Sequence, residues 1–115
     1  MKELLYEQIG DLGMVTNGKL AFYVDALGMA PNPLGPVTML RNNGYIRVPI
    51  KEYLHLFFQV QSPLQSPFPA AIETPEGDSF PNINSEAELR KAIEEIMKRP
   101  RTAEVVDYLT KLADQ

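Results

Sequence analysis

Few side chains in this chain are equipped for chemistry, and most of them fall in one stretch. His55 is the only histidine, and there is no cysteine. A lone imidazole can move a proton or bind a metal. A metal site wants several ligands, however, and no second histidine or thiolate exists to join it. A general base wants an orienting partner, and none stands at a useful spacing from His55. His55 does share its parity with Tyr45, Arg47, Tyr53, Phe57 and Gln59. A period of two puts such residues on one face of a sheet. Aromatic bodies with polar tips suit small-molecule pockets and protein interfaces alike. These six residues form the candidate ligand-binding set. The opposing expectation is an ordinary second face covered by a helix or loop, and a register break at Pro49 or Glu52 would divide the set.

The remaining charged groups carry weaker signals. Lys98, Arg99 and Arg101 flank Pro100. They could meet an anion, but basic residues at a helix C-terminus also complement its dipole. Asp25, Glu52, Glu73, Glu76 and Asp78 are the carboxylates outside the clear helical surfaces. Paired carboxylates can do acid–base work, yet no spacing here brings two together, so solvation is expected. There is no Gly-rich phosphate loop and no nucleophile elbow. The expectation is therefore no catalytic residue, no metal and no cofactor.

The elements that must position the six residues follow from periodicity. From Ile46 to Val60 every even position except Glu52 is apolar: Ile46, Val48, Ile50, Leu54, Leu56, Phe58, Val60. That predicts strands with one greasy face. Asn42-Asn43-Gly44 reads as a hairpin turn between strands at 37–41 and 45–50. Residues 53–61 read as a third strand, with a helix from Pro49 through Ile50, Tyr53, Leu54 and Phe57 as the rival. Leu20, Tyr23, Val24 and Leu27 fit a helix over 18–28, capped by Asn17 and ended by Gly28 and Pro31. The competing reading takes Asn17-Gly18 as a hairpin turn. Residues 2–12 match a helix stripe at Leu5, Ile9 and Leu12, but Gly10 and Gly13 favour a first strand over Leu4–Ile9.

Prolines at 31, 33 and 36, and again at 63, 67, 69, 75 and 81, mark turns or irregular loops. Residues 62–84 thus read as a long connection, with a short strand at Ala70–Thr74 inside it. The last third is plainer. Ser85-Glu86-Ala87-Glu88 is a capping box. Leu89, Ala92, Ile93, Ile96 and Met97 form a helix stripe, and Glu86→Arg90, Glu94→Lys98 and Glu95→Arg99 are favourable i, i+4 pairs. Pro100 ends this helix. A second starts near Thr102 with Val105, Val106, Leu109, Leu112 and Ala113 on its buried side. The two make a helical hairpin that must bury its stripes on the sheet.

The fold class is therefore α+β: an antiparallel sheet of three to five strands, one helix near residues 18–28, and a C-terminal helical hairpin packed on the sheet. The 115 residues make a single domain. Its sheet-forming part is 1–61, its connection 62–84 and its helical hairpin 85–114. No segment approaches the ~20 apolar residues of a membrane span, and the N-terminus lacks the apolar run of a signal peptide. A cytoplasmic protein is expected. The formal charge of −4, from 11 Lys+Arg against 15 Asp+Glu, argues against nucleic-acid binding.

Residues 20–28, Leu20-Ala21-Phe22-Tyr23-Val24-Asp25-Ala26-Leu27-Gly28, resemble a segment of the vicinal oxygen chelate superfamily, the group of glyoxalases and bleomycin-resistance proteins. In that group an "FY-x-D-x-LG" helix precedes a Gly-containing hairpin, here Asn43-Gly44-Tyr45-Ile46, and a strand of the Leu54-His55-Leu56 type. The resemblance covers residues 11–60. It implies a strand–helix–three-strand module and a ligand site on a concave sheet face. The family's paired second module does not follow, since this chain ends in helices. Its His and Glu metal set cannot be placed, because the first segment offers only Glu7 and Gln8. A metal-free binding member is what the resemblance implies.

The function expected from these residues is non-catalytic binding of a small aromatic or cationic molecule on the aromatic and polar sheet face, by a homodimer. The alternative is a protein-interaction module, such as a small acidic inhibitor or adaptor. A minor enzyme using His55 ranks last.

Overall fold

The β-branched and aromatic run after Tyr53 extends rather than coils, and the rest of the fold is arranged around it. The structure, a computed structural model, describes residues 1–9, 18–30 and 34–115. The elements are α1 (Lys2–Ile9), β1 (Ala21–Met29), β2 (Met39–Val48), β3 (Tyr53–Pro63), β4 (Ala70–Glu73), β5 (Ser79–Ile83), α2 (Glu86–Met97) and α3 (Pro100–Ala113). The strands form one antiparallel five-stranded sheet in the order β1-β2-β3-β4-β5, an α+β fold. The helices bury their stripes on one side of it. Leu5, Leu89, Ile93 and Leu109 from the helices share a core with Val24, Ile46, Val48, Phe58, Val60 and Ile72 from the sheet.

Several sequence expectations are corrected by this topology. Asn42-Asn43-Gly44 is not a turn, because β2 runs through it without interruption. Asn42 is buried, and Gly44 serves a close approach: a Cβ there would lie 2.4 Å from Cε1 of Phe58. The turn between β2 and β3 is instead a 3-10 segment, Pro49–Lys51, closed by Glu52 at φ 52, with Ile50 exposed. Residues 21–29 are strand, not helix. Leu20, Phe22 and Val24 alternate, while Leu20, Tyr23, Val24 and Leu27 fit a helix, and nine residues of pairing with β2 decide between the two. Gly18 turns the chain before β1 at φ +79. Residues 2–9 are helix rather than strand, with Leu5 and Ile9 buried one turn apart. Gly10, Leu12, Gly13, Asn17, Pro31 and Pro33 lie outside the described residues.

The 62–84 connection is also more regular than its prolines suggest. It holds the expected short strand, as β4, and a further one, β5. Pro81 sits in β5, an edge strand, where a missing amide costs no ladder bond. The capping box at α2 forms, with the Glu88 amide donating to Ser85 Oγ and Glu88 Oε2 accepting from the Asn84 amide. Pro100 opens α3 as its first helical residue instead of preceding it.

Register carries the finding that matters most for function. Gly44 pairs with Phe58, but Tyr45 pairs with Leu56. Phe57 is therefore an extra residue on β3, a β-bulge. Phe57 and Phe58 are both buried, their rings 5.5 Å apart. Edge-to-face contacts extend this cluster from Phe58 to Phe22 at 5.9 Å and from Phe22 to Tyr6 at 5.6 Å.

Two stability predictions follow from this packing. Gly44→Ala must push aside a fully buried ring, so it should cost about 1–3 kcal/mol in urea denaturation; an unchanged midpoint would show that Phe58 moves freely. Ser62 is buried, and among the described residues its Oγ has no hydrogen-bond partner. Ser62→Ala should therefore hold or raise stability, by up to ~1 kcal/mol, and a clear loss in the same assay would reveal a bond the packing does not show.

Candidate functional site

The sheet residues that join the core all lie on the helix side, and no described helix covers the other, open side of β1, β2 and β3. Pairing places Tyr23 beside Tyr45, Asp25 beside Asn43, and Leu27 beside Arg41 on that open face. On the β3 side, Tyr45 meets Leu56, Arg47 meets Leu54, and Asn43 meets Gln59. None of these residues is buried. Tyr23 is 40% exposed, Leu27 55% and Leu54 46%, large values for apolar or aromatic side chains on a sheet. The Tyr23 and Tyr45 ring centroids are 6.2 Å apart.

The six expected site residues are divided by the bulge. Tyr45, Arg47 and Gln59 lie together on the open face. Tyr53 pairs with Val48 and His55 with Ile46, which puts both on the helix side, Tyr53 at its exposed rim. Phe57 turns into the core at 7% exposure. The break falls at Phe57, not at Pro49 or Glu52. It also reverses the expected greasy face, because Leu54 and Leu56 lie on the open side. Sequence reasoning missed Tyr23, Asp25 and Leu27 by coiling them into a helix, and Arg41 and Asn43 through the supposed turn. The alternation of Phe22 and Val24 against Tyr23, Asp25 and Leu27 is the signal that locates them.

The open face is polar at its centre and apolar at its margins. Arg41 Nε and Asn43 Oδ1, two residues apart on β2, are shielded from water and have no hydrogen-bond partner among the described residues. Among the described residues no ion pair engages Arg41 or Arg47. A covered donor and acceptor left unpaired are costly, and an outside group can meet them only when the side chains over them shift. A shallow depression of about 280 Å³ lies at one end of the face, bounded by Tyr23, Arg47, Glu52 and Leu54.

The basic group around Pro100 has a structural assignment. Arg99 is paired with Asp78 and lies 5.3 Å from the centre of the Phe80 ring. Arg101 reaches Glu76 at 3.7 Å and Glu104 at 3.5 Å. These contacts fasten the β4–β5 turn to the link between α2 and α3. Arg99 thus takes Asp78 in place of the expected Glu95 partner, whereas Glu86 and Arg90 do approach, at 3.8 Å. A small cavity of about 210 Å³ lies behind the clamp, floored by Phe57, Ile96 and Val105. Among the described residues no cluster of three or more His, Cys, Asp or Glu could hold a metal ion. No described helix is long and apolar enough to cross a membrane.

No protein-family model, curated protein or solved structure matches this chain. The segment Phe22–Gly28, which carries the glyoxalase-like resemblance, is strand. If Tyr23 and Leu54 serve recognition and not folding, Tyr23→Ser and Leu54→Ser should each leave thermal stability within about 0.5 kcal/mol of the parent. A larger loss would assign them to the fold.

Proposed function

We propose that this chain is a protein-interaction module whose helix-free sheet face is the recognition surface. The observation that supports the reading is the exposure of Tyr23, Leu27 and Leu54 on one face, together with an exposed Arg47 that no ion pair engages among the described residues. Tyrosine and arginine are the residue types that dominate binding energy at protein interfaces. The complementary partner is a protein surface bringing a carboxylate to Arg47 and apolar side chains to Tyr23, Leu27 and Leu54. A flat face of this kind suits a macromolecule better than a small one, since small-ligand sites bury most of the ligand.

The depression at Tyr23, Arg47, Glu52 and Leu54 supports a second reading, a small aromatic or cationic ligand held between the tyrosine and the carboxylate. Its volume is at the bottom of the range for ligand pockets, roughly 300–1,000 Å³. Ligand binding would raise the melting temperature by mass action.

The test compares immobilised wild-type protein with an Arg47→Glu, Tyr23→Ser double variant of unchanged melting temperature. The reading expects a specific protein held by the wild type and bound at least about tenfold more weakly by the variant. Equal retention by both would contradict it. A saturable thermal shift with a small molecule, abolished in Leu54→Ser, would favour the second reading.

A further inference from the structure

The sheet has two edges, and they are not alike. β5 is five residues long, carries Pro81 without an amide, turns left-handed at Asn82 (φ 59), and lies beside α2. Those are the devices by which natural sheets protect an edge. β1 is nine residues long, and between Ala21 and Met29 it has no proline, no lysine and no bulge. Its odd residues face β2: the Met29 carbonyl accepts from the Thr38 amide on that side. Its even residues, Phe22, Val24, Ala26 and Gly28, therefore direct their amides and carbonyls away from the sheet. At Val24 the edge is closed, because its amide donates to Tyr6 Oη of α1 at 2.9 Å. Beyond Val24, no hydrogen bond from a described residue reaches the outward amides of Ala26 and Gly28.

From this edge we infer that a second copy of the chain pairs antiparallel with β1 through residues 25–29. The register is set by the open groups. Ala26 of one protomer exchanges both backbone hydrogen bonds with Gly28 of its partner, and the two-fold axis passes between the two Leu27 residues. Leu27 then faces its own equivalent as a non-hydrogen-bonded pair, where side chains approach to about 5 Å. It is on the open face and 55% exposed, so the pairing covers apolar surface that is otherwise wet. Tyr6 prevents the pairing from sliding toward Phe22. A two-fold use of the one open edge leaves no further open edge, so assembly stops at two copies and forms no filament. An axis perpendicular to the sheet keeps both helix-free faces on the same side, giving a continuous ten-stranded recognition surface. The pairing itself does not depend on what that surface binds.

Sedimentation velocity over a range of concentrations tests this, with hydrogen exchange read at Ala26 and Gly28. The wild type should approach twice 12.9 kDa as concentration rises, with both amides gaining protection. Ala26→Pro removes only an outward donor and should return the mass to 12.9 kDa with the fold intact by circular dichroism. Should that variant not fold, Leu27→Asp sets two carboxylates opposite each other and should do the same. A wild type that stays at 12.9 kDa at its highest soluble concentration overturns the inference. So does a dimer that survives Leu27→Asp, or one in which the Ala26 and Gly28 amides exchange freely.

Discussion

The ring of Phe58 lying on the bare Cα of Gly44 is the contact on which the rest of the structure depends. It forces the backbones of β2 and β3 to accept one large side chain where two would normally sit, and only glycine leaves that room. The extra residue Phe57 follows directly. With two adjacent aromatics turned to the same side, the strand needs a bulge, and the bulge shifts every residue from Tyr53 to Leu56 onto the face opposite to its parity. The two phenylalanines then anchor a line of rings that reaches Tyr6 on α1, whose hydroxyl closes part of the β1 edge. One crowded point in the core thus decides which side chains meet solvent and how much of an edge is left open.

What could be read from residues alone depended on whether local and tertiary preferences agreed. They agree in α2 and α3, where caps, stripes and Pro100 all point the same way, and in the extended run of β3. They conflict at Asn42-Asn43-Gly44, a strong turn signal in isolation that is overridden because Gly44 is needed for the Phe58 contact inside a long strand. They conflict again at Leu20–Leu27, where Leu20, Tyr23, Val24 and Leu27 fit a period of 3.6 while a different set, Leu20, Phe22 and Val24, fits a period of 2. Only the nine-residue partner in β2 resolves that conflict, and no local rule contains it. Half of the expected site, Tyr45, Arg47 and Gln59, is legible because Tyr45 and Arg47 lie on the unbroken β2, and Gln59 lies beyond the bulge, where β3 again shares the parity of β2. The other half was lost to a single inserted residue. Its replacements, Tyr23, Asp25, Leu27, Arg41 and Asn43, become visible only once β1 is known to be a strand.

The resulting molecule is one-sided. Every described helix spends its stripe on one face of the sheet, and the other face carries tyrosines, arginines and amides that no described element covers. The Arg99–Asp78 clamp and the Arg101–Glu76 pair use the chain's other concentration of basic charge to hold the β4–β5 turn in place, so that charge is not offered to a ligand. The open face and the free part of the β1 edge, on which the proposed recognition and pairing rest, are contiguous through Leu27.

The register change at Phe57 sets which residues share a face, and proton–proton distances across β2 and β3 measure it directly. Close Hα–Hα contacts occur in non-hydrogen-bonded antiparallel pairs. The account predicts nuclear Overhauser contacts between Hα of Tyr45 and Leu56, and between Hα of Asn43 and Gln59. A Tyr45 contact to Phe57 instead would mean an unbroken ladder. It would return His55 and Tyr53 to the open face and contradict the arrangement described above.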